Sequence, residues 1–113
     1  MKIEKSLVSG SMMLLILRLL EEKDMYGYEM IDTLKEKSNN VFELKAGTLY
    51  PLLHSMEEKG WLTVYEQEAG GKMRKYYRIT RDGKKQYQAK KKEWKEYSEA
   101  ILQVIGGVCF GTA

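Results

Sequence analysis

The chain is poor in residues that staple or break structure. Among 113 residues there is one cysteine (Cys109), one proline (Pro51) and one histidine (His54). A lone cysteine excludes an internal disulfide framework, and one cysteine with one histidine excludes the common zinc sites. No apolar run approaches the roughly 20 residues that span a bilayer. The longest, Met12 to Leu17, resumes after Arg18 only with Leu19 and Leu20. No basic start leads into a small-residue cleavage pattern, so no secretory signal is expected. The reducing cytosol is the expected compartment for a chain with one thiol. Internal repeats and low-complexity tracts are missing. So are a Ser/His/Asp set, a phosphate-cradling glycine loop and a metal cluster, and neither an enzyme nor a cofactor is expected.

What is present suits a globular domain: 43% hydrophobic and 31% charged residues. The length fits one core. Such a chain buries only about two-thirds of its unfolded surface, so a partner chain would add useful cover. Charge is unevenly placed. Between Ala69 and Lys92 ten basic residues face a single acid, Asp82, whereas the remainder holds nine basic and fifteen acidic residues. That asymmetry points to an anionic partner, nucleic acid or a membrane surface, against the plainer reading of a solvated lysine-rich helix face.

Periodicity divides the chain into four helices and a hairpin. Ser9 and Ser11 are candidate caps for a first helix from about Met12 to Glu22. Its apolar residues run almost all the way round, which calls for cover on more than one side and makes a subunit interface economical. The charged run Glu21 to Asp24 is expected to end it in water. A second helix fits Tyr26 to Lys37, with Met30, Ile31 and Leu34 on one face, and Ser38-Asn39-Asn40 signals a turn. A third fits Ala46 to Lys59, with Leu49, Leu52, Leu53 and Met56 buried and Gly60 at the C-terminal cap. Pro51 requires that helix to start close to Ala46 or to bend. The period then changes to two. Trp61 to Gln67 and Met73 to Thr80 read as strands joined at Ala69-Gly70-Gly71. Tyr77 and Ile79 share one face of the second strand, and Arg74, Tyr76 and Arg78 the other. Thr80 reads as the cap of a long helix to about Ile105, followed by a glycine-containing tail.

The last helix carries Tyr87, Trp94, Ile101 and Val108 at seven-residue spacing, with Tyr97, Val104, Ser98 and Ile105 filling the same stripe. A heptad seam on a charged helix is the pattern of helix pairing. Expected dimerisation residues are Leu15, Tyr87, Trp94, Tyr97, Ile101 and Ile105. The alternative is one amphipathic helix packed on its own domain.

Helix-turn-helix followed by a hairpin predicts an α+β, mainly helical winged helix: a DNA-binding unit over 1–80, a dimerisation helix over 81–108 and a tail over 109–113. In that arrangement the third helix enters the major groove and the hairpin lies along the backbone. Lys72, Arg74 and Lys75 beside two glycines form a compact cationic tip. The third helix offers Lys45, free backbone N–H groups and the hydroxyls of Thr48 and Tyr50, with His54 expected on the same side.

Four stretches, in this order and spacing, carry a resemblance: Met25-Tyr26-Gly27-Tyr28-Glu29, Gly47-Thr48-Leu49-Tyr50-Pro51-Leu52-Leu53, Glu57-Glu58-Lys59-Gly60-Trp61-Leu62, and Arg74-Lys75-Tyr76-Tyr77-Arg78-Ile79-Thr80 with Gly83. From about Ser9 to Ile105 the chain resembles PadR-type transcriptional regulators of the short subfamily with one C-terminal dimerisation helix. The resemblance implies a homodimer that represses transcription from a near-palindromic operator. By position it implies DNA-facing roles for Tyr26, Tyr28, Lys45, Gly47, Thr48, Tyr50, His54, Lys72, Arg74 and Lys75. Multidrug-binding relatives stack flat aromatic ligands on a tryptophan matching Trp94. The resemblance thus raises a planar aromatic or cationic effector at the dimer centre, with Met12, Ile16 and Ser98 lining the wall, against the plainer reading that Trp94 packs in the interface. A winged-helix protein-docking module is the competing expectation, and its sign would be an exposed apolar patch in place of a basic wing. A peripheral membrane binder would need an apolar helix face free of a partner.

Overall fold

The computed structural model describes the backbone of residues 5–106 and side chains from Ser11 onward within that range. The elements are α1 (Lys5–Glu22), β1 (Met25–Tyr26), α2 (Gly27–Lys37), α3 (Ala46–Glu58), β2 (Leu62–Ala69), β3 (Lys72–Ile79) and α4 (Arg81–Ile105). This is the expected mainly helical winged helix, with two differences. Helix α1 begins at Lys5 rather than Met12. Ser9, Gly10 and Ser11 are weak helix formers, and the anchored turns that follow carry the helix through them. The sheet has three strands in the order β1-β3-β2, all antiparallel. Two-residue β1 is too short to show a period and exists through its pairing with Tyr76 and Tyr77.

Both ends of α3 are built by local chemistry. The amide N–H of Trp61 donates to Met56 O and that of Gly60 to Glu57 O, while Gly60 sits at φ +80°. This 6→1 and 5→2 pair of bonds is a Schellman cap. Pro51 lies inside the helix, close enough to its start that few backbone bonds are lost. Thr80 then ties the start of α4 to this cap. Its hydroxyl donates to Gly60 O at 2.7 Å and accepts from Gly83 N at 3.0 Å.

The core gathers one stripe from each helix and the inner face of the sheet. Leu17, Leu49, Leu53 and Met56 are wholly shielded, and Met25, Met30, Leu62, Tyr77 and Ile79 pack with them. Helix α1 runs through the middle. Met12, Ile16, Leu17, Leu19 and Leu20 are all covered by the chain itself. Among the described side chains of α1, Met13, Leu14 and Leu15 are the apolar ones that stay partly open, so this part of the helix needs less of a second subunit than expected.

Candidate nucleic-acid interface

Helices α2 and α3 begin side by side. Their N-caps, Tyr26 and Lys45, are extended and make no side-chain capping bond. First-turn N–H groups left without a side-chain cap give a helix start a partial positive charge. The two starts are joined by the Tyr50 ring, which lies on Gly27 so closely that a methyl group there would strike the Tyr50 hydroxyl. Burial raises the Tyr50 phenol above its ordinary pKa, with Tyr28 adding to the effect. Tyr28 remains more than half exposed, and Gly47 opens onto free space.

Four expected residues thus meet at one place: Tyr26, Tyr28, Tyr50 and Arg74. The Arg74 guanidinium lies 4.4 Å from the centre of the Tyr26 ring, and its Nε donates to Ala69 O at 3.3 Å. Lys45, Gly47 and Thr48 lie exposed at the start of α3. Thr48 and Tyr50, two positions apart, point to opposite flanks of the helix, so they do not share a side as expected. His54, four positions after Tyr50, shares the flank of Tyr50. Its Nε2 lies 3.8 Å from Glu58 on the surface. The later turns of α3 are acidic, with Glu57 and Glu58, which leaves the N-terminal end as the face suited to a polyanion.

The wing turn is Gly70-Gly71, at φ +60° and +80°, a conformation that suits glycine. Ala69 belongs to β2, not to the turn. Strand alternation splits the three expected cations. Lys72 and Arg74 lie on the outer face, opposite Ala69 and Gln67, whereas Lys75 lies on the other face, directly across from Glu66. The cations of the compact tip expected from sequence are therefore divided between two faces.

Residues that sequence reasoning passed over hold the outer face together. Asp24 does not end in water. One of its carboxylate oxygens accepts from the Tyr65 hydroxyl at 2.7 Å and from Arg78 Nε at 3.0 Å. That hydrogen bond raises the Tyr65 phenol above its ordinary pKa. Tyr65 stacks on Tyr76 with centroids 5.6 Å apart, and Tyr76 meets the edge of Tyr26 at 5.4 Å. The Arg78 guanidinium lies over the Tyr65 ring, 5.0 Å from its centre. The sharing of one strand face by Arg74, Tyr76 and Arg78 was readable in the sequence; the role of Asp24 was not.

The seam of α4 divides in two. Tyr87 is 7% exposed and belongs to the core of its own chain, which removes it from the expected dimer seam. Trp94, Tyr97, Ile101, Val104 and Ile105 are exposed. Tyr97, Ala100, Ile101, Val104 and Ile105 line a shallow apolar groove. Val108 and Cys109 lie outside the described residues. The expected effector wall is corrected in the same way. Met12 and Ile16 are each 1% exposed in the chain's own core, because α1 turns that stripe inward. Trp94 remains, with Tyr97 6.0 Å away, and the Ser98 hydroxyl is turned back to Lys95 O. Among the described residues no helix is long and apolar enough to cross a membrane and no metal-binding cluster occurs.

Comparison with known proteins agrees with this geometry. The profile of the transcriptional regulator PadR-like family matches residues 16–89. An uncharacterised protein of Lysinibacillus sphaericus is 40% identical over 108 residues, covering 94% of this chain and 98% of that one. The Escherichia coli transcriptional regulator YqjI is 29% identical over 92% of this chain, which spans only 47% of its length. The crystal structure of a PadR family transcription regulator from Clostridium difficile superposes with a TM-score of 0.75 and 36% identity, over 85% of this chain and 99% of that one. A winged helix with cationic residues beside an uncapped α3, matched by the family profile over most of its length, belongs to the PadR-like family of DNA-binding transcriptional regulators.

Proposed function

We propose that this chain acts as a homodimeric repressor on a near-palindromic operator. The observation that carries the reading is the Arg74 guanidinium held on the Tyr26 ring at the start of α2, together with the exposed start of α3 at Lys45, Gly47 and Thr48. A phosphate at Arg74 would meet a guanidinium, and one at the start of α3 would receive backbone N–H groups and the helix dipole. Lys45, Lys72 and Arg74 supply sequence-independent phosphate binding. Thr48 on one flank of α3, and Tyr50 and His54 on the other, are assigned to base edges, with Tyr26, Tyr28 and Gly47 shaping the approach. Lys75, on the opposite wing face, contributes through the general field alone.

The exposed half of α4 supports pairing of two copies, with Leu15, Trp94, Tyr97, Ile101 and Ile105 in the seam. Pairing would set two recognition helices about one helical turn of DNA apart. Trp94, beside Tyr97 and Ser98, is the remaining place for a planar aromatic or cationic effector.

The test is an anisotropy titration with duplex DNA from upstream of the chain's own gene, at two salt concentrations. The expected result is sequence-specific binding with a steep salt slope. Arg74→Ala should weaken binding to all sequences and flatten the slope by about one unit. An unchanged slope refutes the wing assignment. Effector binding is checked by quenching of Trp94 fluorescence with ethidium in a Trp61→Phe background, without DNA. Unquenched emission removes the effector site.

A further inference from the structure

Gln67, Lys72 and Arg78 on the outer face of the wing are exposed, and a two-stranded hairpin alone is only marginally stable in water. The base of the hairpin is fixed through Leu62, Tyr77 and Ile79 in the core, and its outer face adds a second hold. Along that face runs an unbroken line of contacts. It starts at Asp24, just past the end of α1, and passes through the Tyr65 hydroxyl, the Tyr65–Tyr76 stack and the Tyr76–Tyr26 edge contact to the guanidinium of Arg74. Arg78 is fastened to the same carboxylate oxygen and lies over the Tyr65 ring. The far end is also held, since Arg74 Nε is bonded to Ala69 O.

We infer that Asp24 is a positioning residue for DNA binding: an acid that touches no DNA but, through Tyr65, Tyr76 and Tyr26, aims the Arg74 guanidinium. The inference rests on the interface reading above, in which Arg74 meets a phosphate. Simple electrostatics predicts the opposite sign for this residue. Removing a negative charge near a polyanion site should strengthen binding, whereas removing the anchor should weaken it. Tyr65→Phe offers a second probe, because it deletes the hydrogen bond and leaves the charge unchanged.

The experiment uses the full chain and a fluorescein-labelled random-sequence duplex of about 30 base pairs at about 50 mM salt, where phosphate contacts dominate. Arg74→Ala is expected to weaken binding about tenfold and to flatten the salt slope by about one unit. Asp24→Asn and Tyr65→Phe are each expected to weaken it about threefold, the worth of one hydrogen bond. In the Arg74→Ala background neither should have any further effect, since the group they aim is gone. General damage to the fold would persist in that background. If Arg74→Ala leaves binding unchanged, the interface reading fails and this inference fails with it. If Arg74→Ala weakens binding but Asp24→Asn strengthens it or leaves it unchanged, the inference alone is overturned. The same holds if the losses persist without Arg74.

Discussion

The stripe of α4 holds Gly83 and Tyr87 in its first half, is interrupted at Lys90 and Lys91 and resumes from Trp94, and its two parts meet opposite fates. In the first half Gly83 and Tyr87 are sealed against the chain's own α1, β3 and Trp61. In the second, Trp94, Tyr97, Ile101, Val104 and Ile105 stand in solvent, with Val104 87% exposed. A heptad repeat states only that one face of a helix wants cover. Whether that cover comes from the same chain is decided by where the rest of the domain ends, and here it ends about midway along the helix. The first half belongs to the fold, and the second is left open for the pairing proposed above.

Substitutions that separate the halves test this division. Tyr87→Ala should lose about 3 kcal/mol of folding stability, read as a lower denaturant midpoint. Ile101→Asp should leave the subunit folded yet raise the dissociation constant of the proposed dimer about a hundredfold, near 2.7 kcal/mol. Sedimentation at micromolar concentration would show this, and an unchanged mass would dismiss the seam. Gly83→Ala should cost about 2 kcal/mol through overpacking, because the new methyl would meet the backbone carbonyl of Trp61. Thermal unfolding with no shift would show that this approach is slack. Thr80→Ala, which removes the cap bond to Gly83 and the bond to Gly60, should cost about 1 kcal/mol. It should leave the mass of the assembly untouched.

Much of the site was legible before any coordinates. The order of helices and hairpin, the Thr80 cap, the Gly60 terminus and the burial of Tyr77 all follow from local rules whose reach is one turn or one strand. The meeting of Tyr26, Tyr28, Tyr50 and Arg74 was reached through the resemblance, since no spacing brings residues so far apart together. Three features escaped. Strand β1 has no period to read. Lys75 was grouped with Lys72 and Arg74, although strand alternation alone already sets it on the other face. Asp24 read as solvent because its neighbours Glu21, Glu22 and Lys23 are charged, while its partners lie 41 and 54 residues away.

The sequence by itself determined where α2, α3 and α4 start and where all four helices stop, where the chain reverses at Gly70-Gly71, and that positive charge gathers in and after the wing. Those are short-range properties, fixed by backbone dihedrals, capping bonds and covalent order. Only the tertiary structure decided which apolar stripes were already covered, as with Met12, Ile16 and Tyr87 and not with Trp94 or Ile101. It also decided which acid grips the wing. Burial and pairing are sums over neighbours distant in sequence, and only the assembled core supplies those neighbours.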